Sequence, residues 1–363
     1  MTASALSHYQ ETCKPDDLTI VTVSFRTARM LRKNLALARA LNPHTRFWWI
    51  VVENSGDAEE REELEAAEDF VIVSGPTLTP EERKSVHYGS FHHAKALNIG
   101  FAYAVTNRVL ALDPDCFIVL PEWIDRVSVL MDQEKYIFWG TPYHPERLNS
   151  FNVFGRTFMY FPTAICMFVD RARLQAQHHF EIDFSPPVHG EATSLEYWTR
   201  LQELLNGRSN GQKVGRLSAW CELIRDHGIK GVLNALQLKS PKWTPDRRID
   251  IGHRLYALYH RQCRYGHTSV YYPRRLPPLF GLWKSLIPQA ICGFPKKRGH
   301  WRKVAFSKAA KDLAGQGRWE QFYMGEKPFA LHIGKVTYAG DEVDINVIMS
   351  LIPTMIERSL DAA

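Results

Sequence analysis

Val109-Leu110-Ala111-Leu112-Asp113-Pro114-Asp115 sets an apolar run directly against two carboxylates one residue apart. The run has the length and composition of a buried strand. Two carboxylates at the exposed end of such a strand cannot both turn inward without a large desolvation penalty. They are expected to face a crevice and share a divalent cation, a hard ion that takes oxygen ligands. Asp-Pro-Asp is also sound turn chemistry, so a solvated turn is the plain alternative.

The segments upstream decide between the two. Leu18-Thr-Ile-Val-Thr-Val23 is β-branched and compact, a buried strand. Leu31, Asn34, Leu35 and Ala38 follow at helical spacing, then a second strand at Phe47 to Val52 that ends in the turn-rich Glu53-Asn54-Ser55-Gly56-Asp57. An acidic helix over Ala58 to Glu68, a short strand at Phe70 to Val73 and a helix through Leu97, Phe101, Ala104 and Val105 lead back to Val109. Alternating strands and helices predict an α/β fold, with a mostly parallel twisted sheet flanked by helices. Ligands of such sheets bind beyond the carboxyl ends of the strands. Ser24-Phe25, Glu53-Asn54 and Asp113-Asp115 all fall at those ends, and this convergence favours the crevice.

Further along, Thr163 to Val169 reads as a strand and Asp170 to Gln177 follows it. Phe180 to Pro187 is irregular, and a helix over about 191–205 carries Leu195, Trp198, Leu201, Leu204 and Leu205 on its apolar face, with Gly207 as its cap. From Lys239 to Lys303, fifteen Lys or Arg stand against only Asp246 and Asp250, interleaved with Trp243, Tyr256, Tyr259, Tyr265, Trp283 and Trp301 among other aromatics. Phe329 to His332 is a late strand, and an amphipathic helix over about 343–357 closes the chain.

Across all 363 residues, 45% hydrophobic and 23% charged content is ordinary for a globular protein, and the net charge is a modest +6. Cys13, Cys116, Cys166, Cys221, Cys263 and Cys292 are widely spaced, without the clusters of a zinc ribbon or a disulfide framework, and are expected to be free thiols in a reducing cytosol. Met1 to Asp17 lacks the features of a signal peptide. Leu276 to Phe294 is too interrupted to cross a bilayer. The expectation is a cytoplasmic protein, soluble or in peripheral contact with the inner face of the membrane.

In order and spacing these features resemble family 2 glycosyltransferases of the GT-A fold. Leu18-Thr-Ile-Val-Thr-Val-Ser-Phe25 is similar to their opening strand, and Val51-Val52-Glu53-Asn54-Ser55-Gly56-Asp57 to their second strand and its ending. Ala96-Leu97-Asn98-Ile99-Gly100 resembles the helix before their acidic motif, and Leu112-Asp113-Pro114-Asp115 the Asp-x-Asp motif itself. Pro121-Glu122-Trp123-Ile124 follows as a Pro-x-Trp segment does in many members. The resemblance covers roughly 17–207, with an echo at Ala330-Leu331-His332.

What it implies is a nucleotide-diphospho-sugar donor, Mn2+ or Mg2+, and inverting transfer to an acceptor hydroxyl by a hexosyltransferase-type enzyme of cell-surface glycan or polysaccharide synthesis. Donor-binding positions would be Ser24, Phe25, Glu53, Asn54, Asp57, Lys95, Asp113 and Asp115. Asp115 would ligate the cation, with Asp113 directly or through water, and His332 would complete the shell. Glu53 equally reads as a cap of its turn, and His332 as a structural histidine. His92, His93, Lys95 and Asn98 either line the donor site or form an exposed first helical turn, while Arg83 and Lys84 have a slighter claim on the diphosphate.

The family's Glu-Asp pair, which supplies the catalytic base, is absent: the equivalent stretch reads Gly190-Glu191-Ala192-Thr193-Ser194-Leu195-Glu196. Glu191 is the first choice for the base, with Asp183 and Glu196 as alternatives, and a first-turn glutamate also stabilises a helix dipole. The missing pair leaves open a catalytically degenerate GT-A module that binds a nucleotide or an anionic glycan. Nucleotidyl transfer is disfavoured because Thr22-Val-Ser-Phe-Arg-Thr27 lacks glycine. Methyl transfer is disfavoured because no Gly-x-Gly loop follows the first strand.

The expected organisation is a catalytic domain over 17–225 (donor site 17–135, acceptor side 136–225), a basic, mainly helical, aromatic-rich lobe over 226–328, and a strand and helix over 329–363 that return to the catalytic domain. The basic lobe suits an anionic glycan or lipid-linked acceptor, with peripheral membrane contact through 239–303, Tyr271 to Arg275 and Trp283-Lys284 foremost. It also reads as a merely solvated surface. Nucleic acid ranks last, since no RNA- or DNA-binding module is recognisable.

Overall fold

The computed structural model describes residues 3–67, 69–77, 79–80, 88–142, 161–177, 182–185, 203–204, 207–209, 212–215, 217–225, 251–260, 262–271, 319–333, 349–350, 352–353 and 356–357. Helix α1 (Ala3–Thr12) precedes strand β1 (Leu18–Ser24), helix α2 (Ala28–Leu41), β2 (Phe47–Glu53), α3 (Ala58–Glu65) and β3 (Phe70–Ser74). Helix α4 (Tyr88–Tyr103) then leads into β4 (Arg108–Leu112) and the three-residue β5 (Cys116–Ile118). After α5 (Trp123–Glu134) come β6 (Phe138–Pro142), β7 (Pro162–Asp170) and α6 (Arg171–Gln177). The remaining elements are the short β8 (Arg208–Ser209) and β9 (Gln212–Lys213), α7 (His253–Tyr259), β10 (Tyr265–His267), β11 (Ser269–Tyr271), β12 (Trp319–Met324) and β13 (Lys327–Ile333).

A seven-stranded sheet runs in the order β10-β6-β7-β4-β1-β2-β3, parallel throughout except for β7, which is antiparallel to both β4 and β6. The alternation of β1 explains the layering. Leu18 and Ile20 enter the core formed with Leu31, Leu35 and Ala38 of α2, Leu64 of α3 and Trp123 of α5. Val21 and Val23 point to the opposite face, against Ala94, Leu97 and Phe101 of α4, Tyr9 of α1 and Leu255 of α7. Helices therefore cover both faces, and strands buried on both sides read as continuous apolar runs. Gly100 of α4 allows the closest approach: a Cβ there would sit 2.3 Å from Val21 Cγ1.

Chain direction places the site. The crossovers from β1 to β2 to β3 step one way across the sheet, whereas β4 lies on the other side of β1. The gap between the carboxyl ends of β1 and β4 is thus the point where strand order reverses, the place open α/β sheets offer to ligands. A second sheet, β11-β12-β13-β5, is antiparallel and joins the first through the chain between β4 and β5.

Described stretches of 226–328 do not stand apart from this core. Strand β10 pairs with β6 in the main sheet, β12 pairs with β13, and Leu255, Tyr256 and Tyr259 of α7 are buried in the α4-side core. Gly207 adopts the left-handed φ of +70° expected of a helix cap, and its N–H donates to Leu204 O at 3.1 Å. Cys13, Cys116, Cys166, Cys221 and Cys263 are free, and Cys292 lies outside the described residues. No helix among the described residues is long and apolar enough to cross a membrane.

Candidate metal and donor site

The turn after β4 is clamped on three sides by backbone bonds. Cys116 N–H donates to Asp113 O at 3.0 Å and closes the turn, Asp113 N–H donates to Ile165 O of β7 at 2.9 Å, and Ile333 N–H donates to Asp115 O at 3.2 Å. From beneath, the buried Asn34 of α2 donates through Nδ2 to Cys116 O at 2.8 Å. A turn held this way fixes where its two carboxylates point. Asp113 is half-exposed, while Asp115 is 7% exposed. The two carboxylates divide: Asp113 stays wet, and Asp115 turns inward where a histidine meets it.

That histidine arrives by strand register. Cys116 of β5 lies opposite His332 of β13, and His332 lies opposite Glu320 of β12. His332 Nε2 stands 3.4 Å from Asp115 Oδ1, and His332 Nδ1 bonds Glu320 Oε2 at 2.7 Å. Burial pulls the pKa of His332 down, but the charge of Asp115 and the hydrogen bonds with Asp115 and Glu320 outweigh it and hold it well above the ordinary value. One ligand atom each from Asp113, Asp115 and His332 lies within 4.8 Å of the others. Ligands 2.0–2.6 Å from one cation can lie at most about 5 Å apart, so the trio matches the span of a single ion.

His93 of α4 also faces the pair. Its Nε2 is buried without a hydrogen-bond partner, 3.5 Å from Asp113 Oδ1. Burial lowers its pKa to about 4, against the opposing charge of Asp115, so the ring is neutral at physiological pH. An orphaned ring nitrogen facing a carboxylate is a mismatch in the empty protein that a bound group would resolve. The donor set and this orphan together fit a divalent cation.

At the end of β1, Phe25 is 44% exposed and the next residue, Arg26, takes a left-handed φ of +58°. The Ser24 hydroxyl faces inward instead. It donates to the carboxylate of Glu60 and shares a 2.9 Å bond with Thr27 Oγ1. Glu60 also accepts from the N–H groups of Thr27 at 2.8 Å and Ala28 at 3.0 Å. A buried carboxylate from α3 therefore occupies the amino terminus of α2, where many α/β proteins place a phosphate. That helix terminus is thus already satisfied from within the chain.

Glu53 has committed its carboxylate to its own turn, accepting from Ser55 N at 2.6 Å, Ser55 Oγ at 2.5 Å and Gly56 N at 3.1 Å. Asn54 is buried with Oδ1 unpartnered, and packs so closely on Gly75 that a Cβ there would lie 2.5 Å from that oxygen. Asp57 caps α3 through Glu59 N at 3.1 Å and lies 3.4 Å from Arg26 Nε. Lys95 is half-buried on α4.

Asp183, in the irregular segment 182–185, meets α4 at Asn98. Its Oδ1 accepts from Asn98 Nδ2 and Ser185 N, both at 2.8 Å, and its Oδ2 pairs with Arg254 Nη1 at 2.8 Å. Burial opposes ionisation there, but the hydrogen bonds from Ser185 and Asn98 and the charge of Arg254 prevail and keep the pKa below the usual aspartate value. Glu191 and Glu196 lie outside the described residues, as do Arg83, Lys84, Tyr272 to Arg275 and Trp283-Lys284.

The structure thus brings Asp113, Asp115, His332 and His93 together, and leaves Ser24, Glu53 and Asp57 in local hydrogen-bond networks beside them. Glu60, Glu320 and Asn34 escaped the sequence reading as site residues, because each acts through a contact distant along the chain. Trp319-Glu320-Gln321-Phe322 carries no apolar–polar alternation that would place Glu320 on a strand face.

No protein-family model matches the chain, and no curated protein matches it. Solved structures with a partial likeness include galactosyltransferase LgtC in complex with donor and acceptor sugar analogs, at 13% identity, 60% of this chain, 70% of that one and a TM-score of 0.31. Mannosyltransferase PcManGT from Pyrobaculum calidifontis, in complex with GDP-Man and Mn2+, shares 14% identity over 81% of this chain and 89% of that one, at a TM-score of 0.33. Mouse xyloside xylosyltransferase 1, in its apo form, shares 11% identity over 58% of this chain and 82% of that one, at 0.31. Likenesses this slight carry no part of the functional reading, which rests on the site.

Proposed function

We propose that the chain is a metal-dependent, inverting glycosyltransferase with a GT-A-like nucleotide-binding half, moving a hexose from a nucleotide-diphospho-sugar to an acceptor hydroxyl. The observation that carries this is Asp113, Asp115 and His332 converging at the strand-order reversal, while the alternative phosphate site on α2 is filled by Glu60. Asp113, Asp115 and His332 would hold Mn2+ or Mg2+, which when bound neutralises charge on the departing diphosphate. The other roles belong to the chain itself. Phe25 offers an exposed aromatic face to the base, and Asn54 carries an unsatisfied amide oxygen at the end of β2. Glu53 acts by holding the Ser55-Gly56 turn in place. Asp57 restrains Arg26 beside Phe25, and Ser24 anchors that loop to Glu60.

The base must take the acceptor hydroxyl's proton as its oxygen attacks the anomeric carbon opposite the leaving diphosphate. Asp183 suits this poorly, since both its oxygens are engaged and its pKa is held low, which favours Glu191 with Glu196 next. The basic, aromatic segment 239–303 suits an anionic glycan or lipid-linked acceptor at the cytoplasmic face of a membrane, in polysaccharide or surface-glycan synthesis.

Calorimetric titration with UDP, GDP, dTDP and CDP, with and without Mn2+, tests the reading. One nucleotide that binds tightly only with metal is the expected result. Silence across the panel from a folded protein would leave a module with no donor site and overturn the assignment.

A further inference from the structure

Glu320 is the least expected residue near the site. It is 2% exposed on β12, and the next cross-strand pair on its face, Phe322 opposite Ala330, belongs to the apolar core. A carboxylate buried there opposes folding unless something charged or polar answers it. His332 answers it, directly opposite on β13, with Nδ1 2.7 Å from Glu320 Oε2, while Nε2 of the same ring faces Asp115. The ring is held between two carboxylates, and the two are not equivalent. Asp115 sits on the clamped turn with Asp113 and faces Nε2, whereas Glu320 meets the ring at its other nitrogen, Nδ1. In such a chain the outer carboxylate takes the Nδ1 proton, fixes the ring plane, and leaves the Nε2 lone pair as a strengthened donor.

We infer that Glu320 is a positioning residue for the cation site, fixing the Nδ1–H tautomer of His332 and thereby biasing the site toward Mn2+ over Mg2+. The inference rests on the proposed cation site. It follows from what each donor contributes: Asp113 and Asp115 offer oxygens that serve either ion, whereas a nitrogen donor adds more for a transition cation than for Mg2+. The preference therefore depends on His332 presenting Nε2, and that depends on Glu320.

The test compares Kd values for Mn2+ and Mg2+ on the full chain, without nucleotide, in wild type and Glu320→Gln. Free Mn2+ is read by electron paramagnetic resonance, and Mg2+ by competition. Glutamine keeps the volume and an acceptor oxygen but lacks the charge. The Mn2+ Kd is expected to rise on the order of 10- to 100-fold, with a smaller change for Mg2+, so that the selectivity ratio falls. Equal losses for both ions would mean only that a negative charge had been removed, and an unchanged Mn2+ Kd would mean that Glu320 is structural; either overturns the inference. Wild type that binds no Mn2+ would instead remove the cation site itself, a different and visible failure.

A second readout leaves Glu320 in place. Long-range proton–nitrogen spectra of the Mg2+-loaded chain, with the His332 signals assigned by their absence in His332→Asn, should show Nδ1 protonated and Nε2 bare. The opposite tautomer, or a ring still protonated at both nitrogens with Mg2+ bound, contradicts the proposal even if Glu320→Gln fails to fold.

Discussion

Replacing Glu60 by alanine should be among the most damaging single changes in α3, although the residue lies in a strongly acidic helix. Its carboxylate accepts from Thr27 N–H, Ala28 N–H and the Ser24 hydroxyl at the start of α2, and Thr27 and Ala28 are themselves buried. Two buried backbone donors left unpaired cost about 1–3 kcal/mol each. Water entering the vacated volume moderates this, so the expected loss is about 2–4 kcal/mol. Glu60→Gln keeps one acceptor oxygen in place and forfeits mainly the interaction of the charge with the helix dipole, about 1 kcal/mol. Urea denaturation at unchanged slope measures both. Vacating the helix terminus also opens an anion site, so sulfate should stabilise Glu60→Ala more than wild type. The reasoning is refuted if Glu60→Ala unfolds at the wild-type midpoint, or if glutamine is as harmful as alanine.

Gly100→Ala should lower stability by about 1–3 kcal/mol, since a Cβ 2.3 Å from the stiff Val21 Cγ1 forces α4 off the sheet; differential scanning calorimetry would read it, and an unchanged Tm would contradict the close approach. Asp183→Asn should lower stability at neutral pH, and the gap to wild type should close in acid. A carboxyl with a depressed folded-state pKa contributes stability above its unfolded value, about 3.9, and loses it as pH falls through the lower folded value. A gap that persists below that range would place the effect in packing instead. Asp115→Ala should abolish metal-dependent nucleotide binding with the far-ultraviolet circular dichroism intact, and retained cation-dependent affinity would remove Asp115 from the site.

The central sheet was legible because β1, β2 and β4 are buried on both faces and so carry nearly unbroken apolar runs. Their turns are punctuated by Gly56 and the Asp-Pro-Asp sequence. Strands β5 and β10, three residues each, were not legible, because so short a run has no period to detect. Helix α1 escaped notice for a related reason: Tyr9 is its one fully buried large side chain, so its apolar face is narrow.

At the site, Asp113 and Asp115 announced themselves by spacing and position. His332 emerged only through resemblance, because what brings it to Asp115 is the β5–β13 register. Glu53 reads from sequence both as a donor contact and as a cap of its turn, and its carboxylate accepts from the N–H groups of Ser55 and Gly56. Glu60 and Glu320 were hidden because their partners are fixed by packing and register, which local pattern does not record.

The account depends most on Asp113, Asp115 and His332 holding a cation that meets the donor's diphosphate. Pulsed electron paramagnetic resonance of Mn2+ bound to the chain tests this directly. The expected spectrum shows coupling to an imidazole nitrogen that vanishes in His332→Asn, and coupling to phosphorus once a nucleoside diphosphate is added. Bound Mn2+ with neither coupling would place the ion elsewhere and contradict the account.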